Sequence, residues 1–196
     1  LQRANNKLIV LHAIGSHFPY NIHFTAATTK FLPICNERSD IEPFSFARLM
    51  YIKNRIIPAI QGAPLISAIR QCAADGYLHN SYDNTIVYTD WFLNKVITLL
   101  KNENALFLFV SDHGESLGEN GRFSHGFTQE ASNWHVPMIW WASDEFIKNN
   151  SNSWKSITEK SENAVSHDHV FHSLLGCAGV KSELIEPTLN LCSSVP

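Results

Sequence analysis

An Asp-His pair at positions 112 and 113 follows an apolar run over residues 105–110. It opens a loop punctuated by Gly114, Gly118 and Gly121, and Ser124-His125-Gly126 comes close behind. Imidazole nitrogen and carboxylate oxygen are the donors that a borderline cation such as Zn²⁺ takes. A strand holds the side chains at its carboxyl end in place, while a glycine-rich loop bends around an ion. His17 stands in a similar position, after the apolar run 7–12 and the loop Ala13-Ile14-Gly15-Ser16. Any one of these histidines alone reads as a hydrogen-bonded loop residue. His17, Asp112, His113 and His125 together, in three separated segments, point instead to a metal site. Two such ions about 4 Å apart grip a phosphoryl group, one activating the attacking oxygen and one stabilising the leaving oxygen.

The elements that must position these residues alternate between strand and helix. Residues 7–12 (KLIVLH) read as a short, fully buried strand. Residues 80–101 read as a helix capped by Asn80 or Ser81, with Ile86, Trp91, Val96, Ile97 and Leu100 near helical spacing. Residues 105–110 form the next strand, and residues 137–142 another, with Pro137 at its first position, where a strand tolerates it. Residues 166–176 read as a helix capped by Ser166 and stopped by Gly176. His167, His169 and His172 on that helix read as capping or surface residues. The alternation predicts an α/β fold with a mainly parallel sheet flanked by helices. Residues 36–71 are the least regular, with Pro43, Pro58 and Pro64 interrupting apolar stretches. They read as a surface excursion packed on the sheet or, given Phe44, Phe46, Met50 and Tyr51, as a lid or lipid-facing flap.

Length and composition are those of one globular domain. At 196 residues the chain can bury one good core, so one domain is the default for residues 1–196. Hydrophobic residues are 44% and charged residues 17%, which excludes a disordered chain. A net charge of −3 makes no electrostatic case for nucleic acid or an anionic membrane surface. Ten histidines are the compositional oddity. No apolar run reaches the roughly 18 residues of a transmembrane helix, and no signal peptide is apparent. The chain begins at Leu1 without Met and enters a strand by Lys7, so it reads as the carboxyl-terminal part of something longer. Cys35, Cys72, Cys177 and Cys192 form no CxxC pair, which argues against a structural zinc knuckle. Their even count allows two disulfides, and hence an oxidising compartment such as a periplasm; free buried thiols are the alternative.

The segments LHAIGSH (11–17), NSYDNTIVYTDWFL (80–93), SDHGESLGENG (111–121) and SHDHVFHSLLG (166–176) resemble the bacterial phosphoethanolamine transferases that modify lipid A and lipopolysaccharide core. These enzymes belong to the alkaline phosphatase and sulfatase superfamily. The resemblance implies a partial alkaline phosphatase/sulfatase-like domain that faces the periplasm in an enzyme anchored in the inner membrane by amino-terminal helices. It implies zinc-dependent transfer of phosphoethanolamine from phosphatidylethanolamine to lipid A or lipopolysaccharide core through a phosphorylated threonine. Asp112 and His113 match ligands of the principal zinc. His17 and His125 match histidines that hold the transferred phosphoryl group or a second zinc, and Glu115 matches an acidic residue beside the metal, so His17, His125 and Glu115 are the implied catalytic set. His12 matches a histidine that supports the ligands.

Departures from the family pattern matter as much. The nucleophilic threonine and the remaining acidic ligand match nothing in this chain and are expected upstream; Thr25, Thr28 and Thr29 lack the nucleophile's context. Phe18 stands where the family commonly has glycine, which narrows that loop. The segment 36–71 is longer than the family's disulfide-closed loop, yet its flanking cysteines are well placed, which favours a Cys35–Cys72 bridge and leaves Cys177–Cys192 as a weaker pairing. The alternatives are a sulfatase or phosphodiesterase of the same superfamily and a non-catalytic truncated remnant. The chain alone is expected to be inactive.

Overall fold

In a computed structural model, the structure describes residues 7–35, 70, 72–74 and 76–193. The surface excursion or flap expected at 36–71 lies almost wholly outside the described residues. The chain divides into two compact units: residues 1–12, 95–112 and 137–196 form one, and residues 13–94 and 113–136 the other.

In the first unit, strand β1 (Leu106–Val110) pairs with β4 (Met138–Ala142), in the register Leu106↔Ala142 through Val110↔Met138. Both strands fall where the apolar runs place them. Their pairing, however, is antiparallel, whereas the expected sheet is mainly parallel. A parallel neighbour needs a crossover, ordinarily a helix, to carry the chain back along the sheet. The only α-helix in the β1-to-β4 connection is the four-residue α2 (Ala131–Trp134). The other two-stranded sheet is antiparallel as well.

Residues 7–12 differ from expectation too. They form no strand, and Leu8, Ile9 and Val10 are 70%, 67% and 78% exposed. A strand exists only through its ladder, and among the described residues none supplies one to this segment.

Ser143 joins the sheet to the helices that follow it. Its hydroxyl accepts from the Phe146 amide at 3.1 Å, capping α3 (Asp144–Asn149), and from the Ala105 amide at 3.1 Å. The Ser143 amide donates in turn to the Ala105 carbonyl at 3.0 Å. With 1% of its surface exposed, Ser143 leaves two amides no route to water. Ser143→Ala is therefore expected to cost about 1–2 kcal/mol, as loss of a cap does, and urea denaturation of the purified chain measures it.

Helix α4 (Ser151–Glu159) follows α3, and α5 (Asp168–Cys177) packs against the terminal segment. The buried Ser173 hydroxyl accepts from the Leu191 amide at 2.9 Å, and a Cys177–Cys192 disulfide closes the same contact. Gly176 lies inside α5 rather than ending it; a Cβ there would stand 2.2 Å from the Asn190 side chain. The positive φ that follows a helix end belongs to Gly179, at +72°. Ser166 assists at the start of α5 by accepting from the Asp168 amide at 3.3 Å, although the N-cap position is His167. His169 Nδ1 accepts from the Ser166 amide and His172 Nδ1 from the Glu186 amide, so both have capping or surface roles.

The second unit is organised by α1 (Tyr77–Leu100), whose last turns belong to the first unit. Its buried face is Leu78, Ser81, Asn84 and Thr85, polar apart from Leu78. Ile86 and Trp91, two of the apolar residues at helical spacing, are 47% and 45% exposed. The polar face holds the segment that carries His17. Asn84, fully buried, accepts from the amides of Lys30 and Phe31 at 2.7 and 3.0 Å and donates to the Phe31 carbonyl at 2.9 Å. Thr85 donates to Ser16 Oγ at 2.6 Å, Ser81 Oγ accepts from the Cys35 amide, and Asn80 Nδ2 donates to the Pro33 carbonyl. Asn80 and Ser81 thus bind a neighbouring chain segment instead of capping the helix, which starts earlier, at Tyr77. An irregular segment such as 16–35 satisfies few of its own backbone groups, so a helix face bearing amides and hydroxyls suits it better than an apolar one. The apolar core of this unit is Tyr20, Cys72 and Leu78, with Phe18, Tyr82, Leu117 and Phe123 packed against it. A Cys35–Cys72 disulfide borders it.

Candidate metal centre

Strand β1 ends at Val110, and the loop beyond it is held by close backbone packing. The Gly114 amide donates to the Asn133 carbonyl at 2.9 Å, and a Cβ on Gly114 would lie 1.9 Å from the Ser132 carbonyl oxygen. Only glycine lets the loop approach α2 this closely.

From there the chain enters a ribbon of β2 (Ser116–Leu117) and β3 (Phe123–Ser124), in the register Ser116↔Ser124 and Leu117↔Phe123. The turn between them uses φ of +132° at Gly118, +52° at Asn120 and +72° at Gly121, the left-handed region that glycine and asparagine enter at least cost. Because Ser116 faces Ser124, the residues just outside the ribbon, Glu115 and His125, also meet. Glu115 Oε1 lies 2.7 Å from His125 Nδ1.

A buried polar network braces the ribbon from α2. Asn133 Nδ2 donates to Ser116 Oγ at 2.7 Å, Asn133 Oδ1 accepts from the Phe127 amide at 3.0 Å, and the Ser116 and Ser132 hydroxyls are 3.1 Å apart. Beside it, Glu130 accepts from Arg122 and Asn120 and so pins the turn.

One ligand atom from each of His113, Glu115 and His125 lies within 4.8 Å of the others. The His113 and His125 rings are 4.0 Å apart at 34°, and the His17 ring is 5.3 Å from that of His125, edge-on at 62°. His113 Nδ1 lies 3.0 Å from the Gly114 carbonyl, which can only accept, so in the neutral ring the hydrogen sits on Nδ1 and the lone pair on Nε2. Two imidazoles beside a carboxylate suit a borderline divalent cation such as zinc, whether the carboxylate ligates the ion or orients an imidazole that does.

The second unit thus brings together four of the five residues singled out in the sequence: His17, His113, Glu115 and His125. The fifth, Asp112, is the last residue of the first unit's middle segment. Thr25, Thr28 and Thr29 are occupied locally. The Thr25 and Thr28 hydroxyls form a capping box around a 3-10 turn, and Thr29 Oγ1 donates to the Thr25 carbonyl at 2.9 Å.

Sequence reasoning missed Tyr20. It is 2% exposed, and its hydroxyl donates to Glu115 Oε2 at 2.8 Å. Burial, and next the Glu115 carboxylate, push its phenol well above the usual range, so it stays a donor. Burial and then Glu115 act in the same direction on Tyr82, whose ring meets that of Tyr20 edge-on at 5.2 Å. Burial, followed by the nearby His17, lowers His23 and favours its neutral form. Tyr20 lies 95 residues from Glu115 in a stretch without periodicity, so no local pattern marks it. Asn133 was missed for the same reason: a single asparagine in ASNWH signals nothing until the fold brings it under Ser116.

Three comparisons with known proteins bear on this arrangement. The family model described as Sulfatase matches residues 1–180. Phosphoethanolamine transferase EptA of Escherichia coli (strain K12) is 32% identical over 185 residues, which cover 90% of this chain and 28% of the relative. Among solved structures, the soluble domain of lipooligosaccharide phosphoethanolamine transferase A from Neisseria meningitidis matches with a TM-score of 0.71 and 32% identity, over 92% of this chain and 48% of that one. The C-terminal periplasmic domain of phosphoethanolamine transferase EptC from Campylobacter jejuni matches with a TM-score of 0.67 and 30% identity, over 92% and 49%. The chain therefore spans less than a third of that curated relative's length and about half of each structural neighbour.

Proposed function

The chain belongs to the sulfatase family, and on that premise we propose that it carries the metal-binding part of a phosphoethanolamine transferase. Its homology to such enzymes covers about nine-tenths of the chain. The observation that carries the reading is the meeting of His113, Glu115 and His125 within the SDHGESLGENG loop, beside His17. The expected parallel sheet does not enter into it.

In the proposed reaction, a threonine Oγ supplied from outside residues 1–196 attacks the phosphorus of phosphatidylethanolamine. The phosphorus–oxygen bond to diacylglycerol breaks, and diacylglycerol leaves with the proton. An acceptor oxygen of lipid A or lipopolysaccharide core then attacks the phosphorus of the phosphoethanolamine-bearing threonine; the bond to Oγ breaks, and Oγ takes up the acceptor's proton, restoring the threonine. Zinc, one ion or two, would supply Lewis-acid stabilisation of the phosphoryl oxygens and a lowered pKa for the attacking hydroxyl. Asp112 and His113 are the proposed ligands of the principal ion. His17 and His125 hold the transferring group in line or bind a second ion. The low exposure around Glu115 keeps water away from one side of the site.

The proposed location is the periplasmic face of the inner membrane. Two disulfides suit an oxidising compartment. Among the described residues no helix is long and apolar enough to cross a membrane.

The test is addition of phosphoethanolamine to lipid A, read by mass spectrometry in cells that express the gene in full and lack transferases of their own. Chelation of the purified full-length enzyme is expected to abolish transfer, and zinc to restore it. Full activity after exhaustive chelation would refute the metal-dependent reading. Hydrolysis of a sulfate ester without any transfer would favour a sulfatase, the other activity that the family admits.

A further inference from the structure

Glu115 meets two partners, one on each oxygen. Its Oε2 accepts from the Tyr20 hydroxyl at 2.8 Å, and its Oε1 lies 2.7 Å from His125 Nδ1. The carboxyl group is 4% exposed at its side chain and Tyr20 is 2% exposed, so neither partner is exchanged readily for water. A carboxylate only accepts, which puts the hydrogen of His125 on Nδ1 and leaves Nε2 as the nitrogen with the lone pair. This is the arrangement by which a carboxylate orients a metal-binding or phosphoryl-binding imidazole and raises its basicity.

We propose that Tyr20 and Glu115 are positioning residues that fix the ring and tautomer of His125, with Glu115 acting through His125 rather than as a metal ligand itself. Tyr20 holds the carboxylate from behind, and the edge-on rings of Phe18 and Tyr82 hold Tyr20. The chain of contacts runs from the apolar core of the second unit to the site. The purpose of the device rests on the proposed metal-dependent function; its geometry does not.

Two measurements on the full chain test it. Nitrogen NMR of the metal-free chain, with labelled histidine and at a pH where imidazole is neutral, should show His125 protonated on Nδ1, the minor form of a free histidine. Tyr20→Phe should weaken that preference, and Glu115→Ala should abolish it. Glu115→Gln should keep it, because an amide oxygen still accepts from Nδ1. Zinc affinity, measured by competition with a chromophoric chelator, should then fall about 10–100-fold in Glu115→Ala and only a fewfold in Glu115→Gln. An amide is a poor zinc ligand but an adequate hydrogen-bond acceptor, so this ratio separates positioning from ligation. His125 protonated on Nε2 in the unsubstituted chain, or a loss in Glu115→Gln as large as in Glu115→Ala, would overturn the proposal. If Glu115→Ala does not fold, Tyr20→Phe and Glu115→Gln still decide. A chain that binds no zinc would count against the proposed function, while the tautomer would still decide this inference.

Discussion

Gly114→Ala is expected to destabilise the chain by about 2–4 kcal/mol. The added Cβ would stand 1.9 Å from the Ser132 carbonyl oxygen, a backbone atom held within α2. No rotamer change relieves such a clash, so the loop and α2 must separate. Overfilling a packed contact costs about 1–3 kcal/mol. Separation also stretches the bond from the Gly114 amide to the Asn133 carbonyl, now 2.9 Å, for about another 1 kcal/mol. Asn133 is the residue whose side chain holds Ser116 and Phe127, so the ribbon carrying Glu115 and His125 would loosen with it. Urea denaturation monitored by tryptophan fluorescence measures the loss; a change below about 1 kcal/mol would mean that the loop does not pack on α2 this closely.

His113→Ala should do the opposite to the two observables. The side chain is only half-buried, so folding stability should change by no more than about 1 kcal/mol. Transfer activity of the full-length enzyme, by contrast, is expected to fall about 10²–10³-fold or more in kcat/KM, the scale seen when one stabiliser of transition-state charge is removed. His79→Ala, on the exposed face of α1, is the matched control and should leave both unchanged. Paired measurement of denaturation and transfer on the two variants checks this. Equal transfer by His113→Ala and His79→Ala would remove His113 from the proposed chemistry.

What could be read from the sequence and what could not divide for a physical reason. The loop SDHGESLGENG is written in local signals: an apolar run that ends, donors at its tip, and glycines where the chain must turn. The sequence also marks β1, β4 and the body of α1, because apolar runs and helical periodicity are local properties. Strand direction is not local. Whether 106–110 and 138–142 run parallel depends on what the connection between them becomes, and a four-residue helix does not carry the chain across a sheet. The apparent strand at 7–12 failed similarly, since an apolar hexamer states an appetite for a partner without naming one. The buried face of α1 misled in the other direction. Asn84 and Thr85 look like solvent residues until the irregular segment 16–35, with unsatisfied amides, is set against them. The acidic residue singled out at 115 could be noticed in the loop, but its partner Tyr20 could be found only in three dimensions.

The ribbon 116–124 has a consequence for how this loop can vary. Side chains on paired strands alternate between faces with a period of two, so a slip of one residue reverses every orientation. Glu115 meets His125 only because five residues, 118–122, separate Leu117 from Phe123. Those five residues are a spacer of fixed length. Their chemistry can drift wherever the turn angles permit, but an insertion or deletion that the turn does not absorb, and that slips the pairing by one residue, would swing the imidazole to the opposite side of the ribbon while leaving every candidate site residue in place. Among relatives of this protein, a change in the spacing between the two motifs is therefore a better sign of lost function than a change in the residues between them.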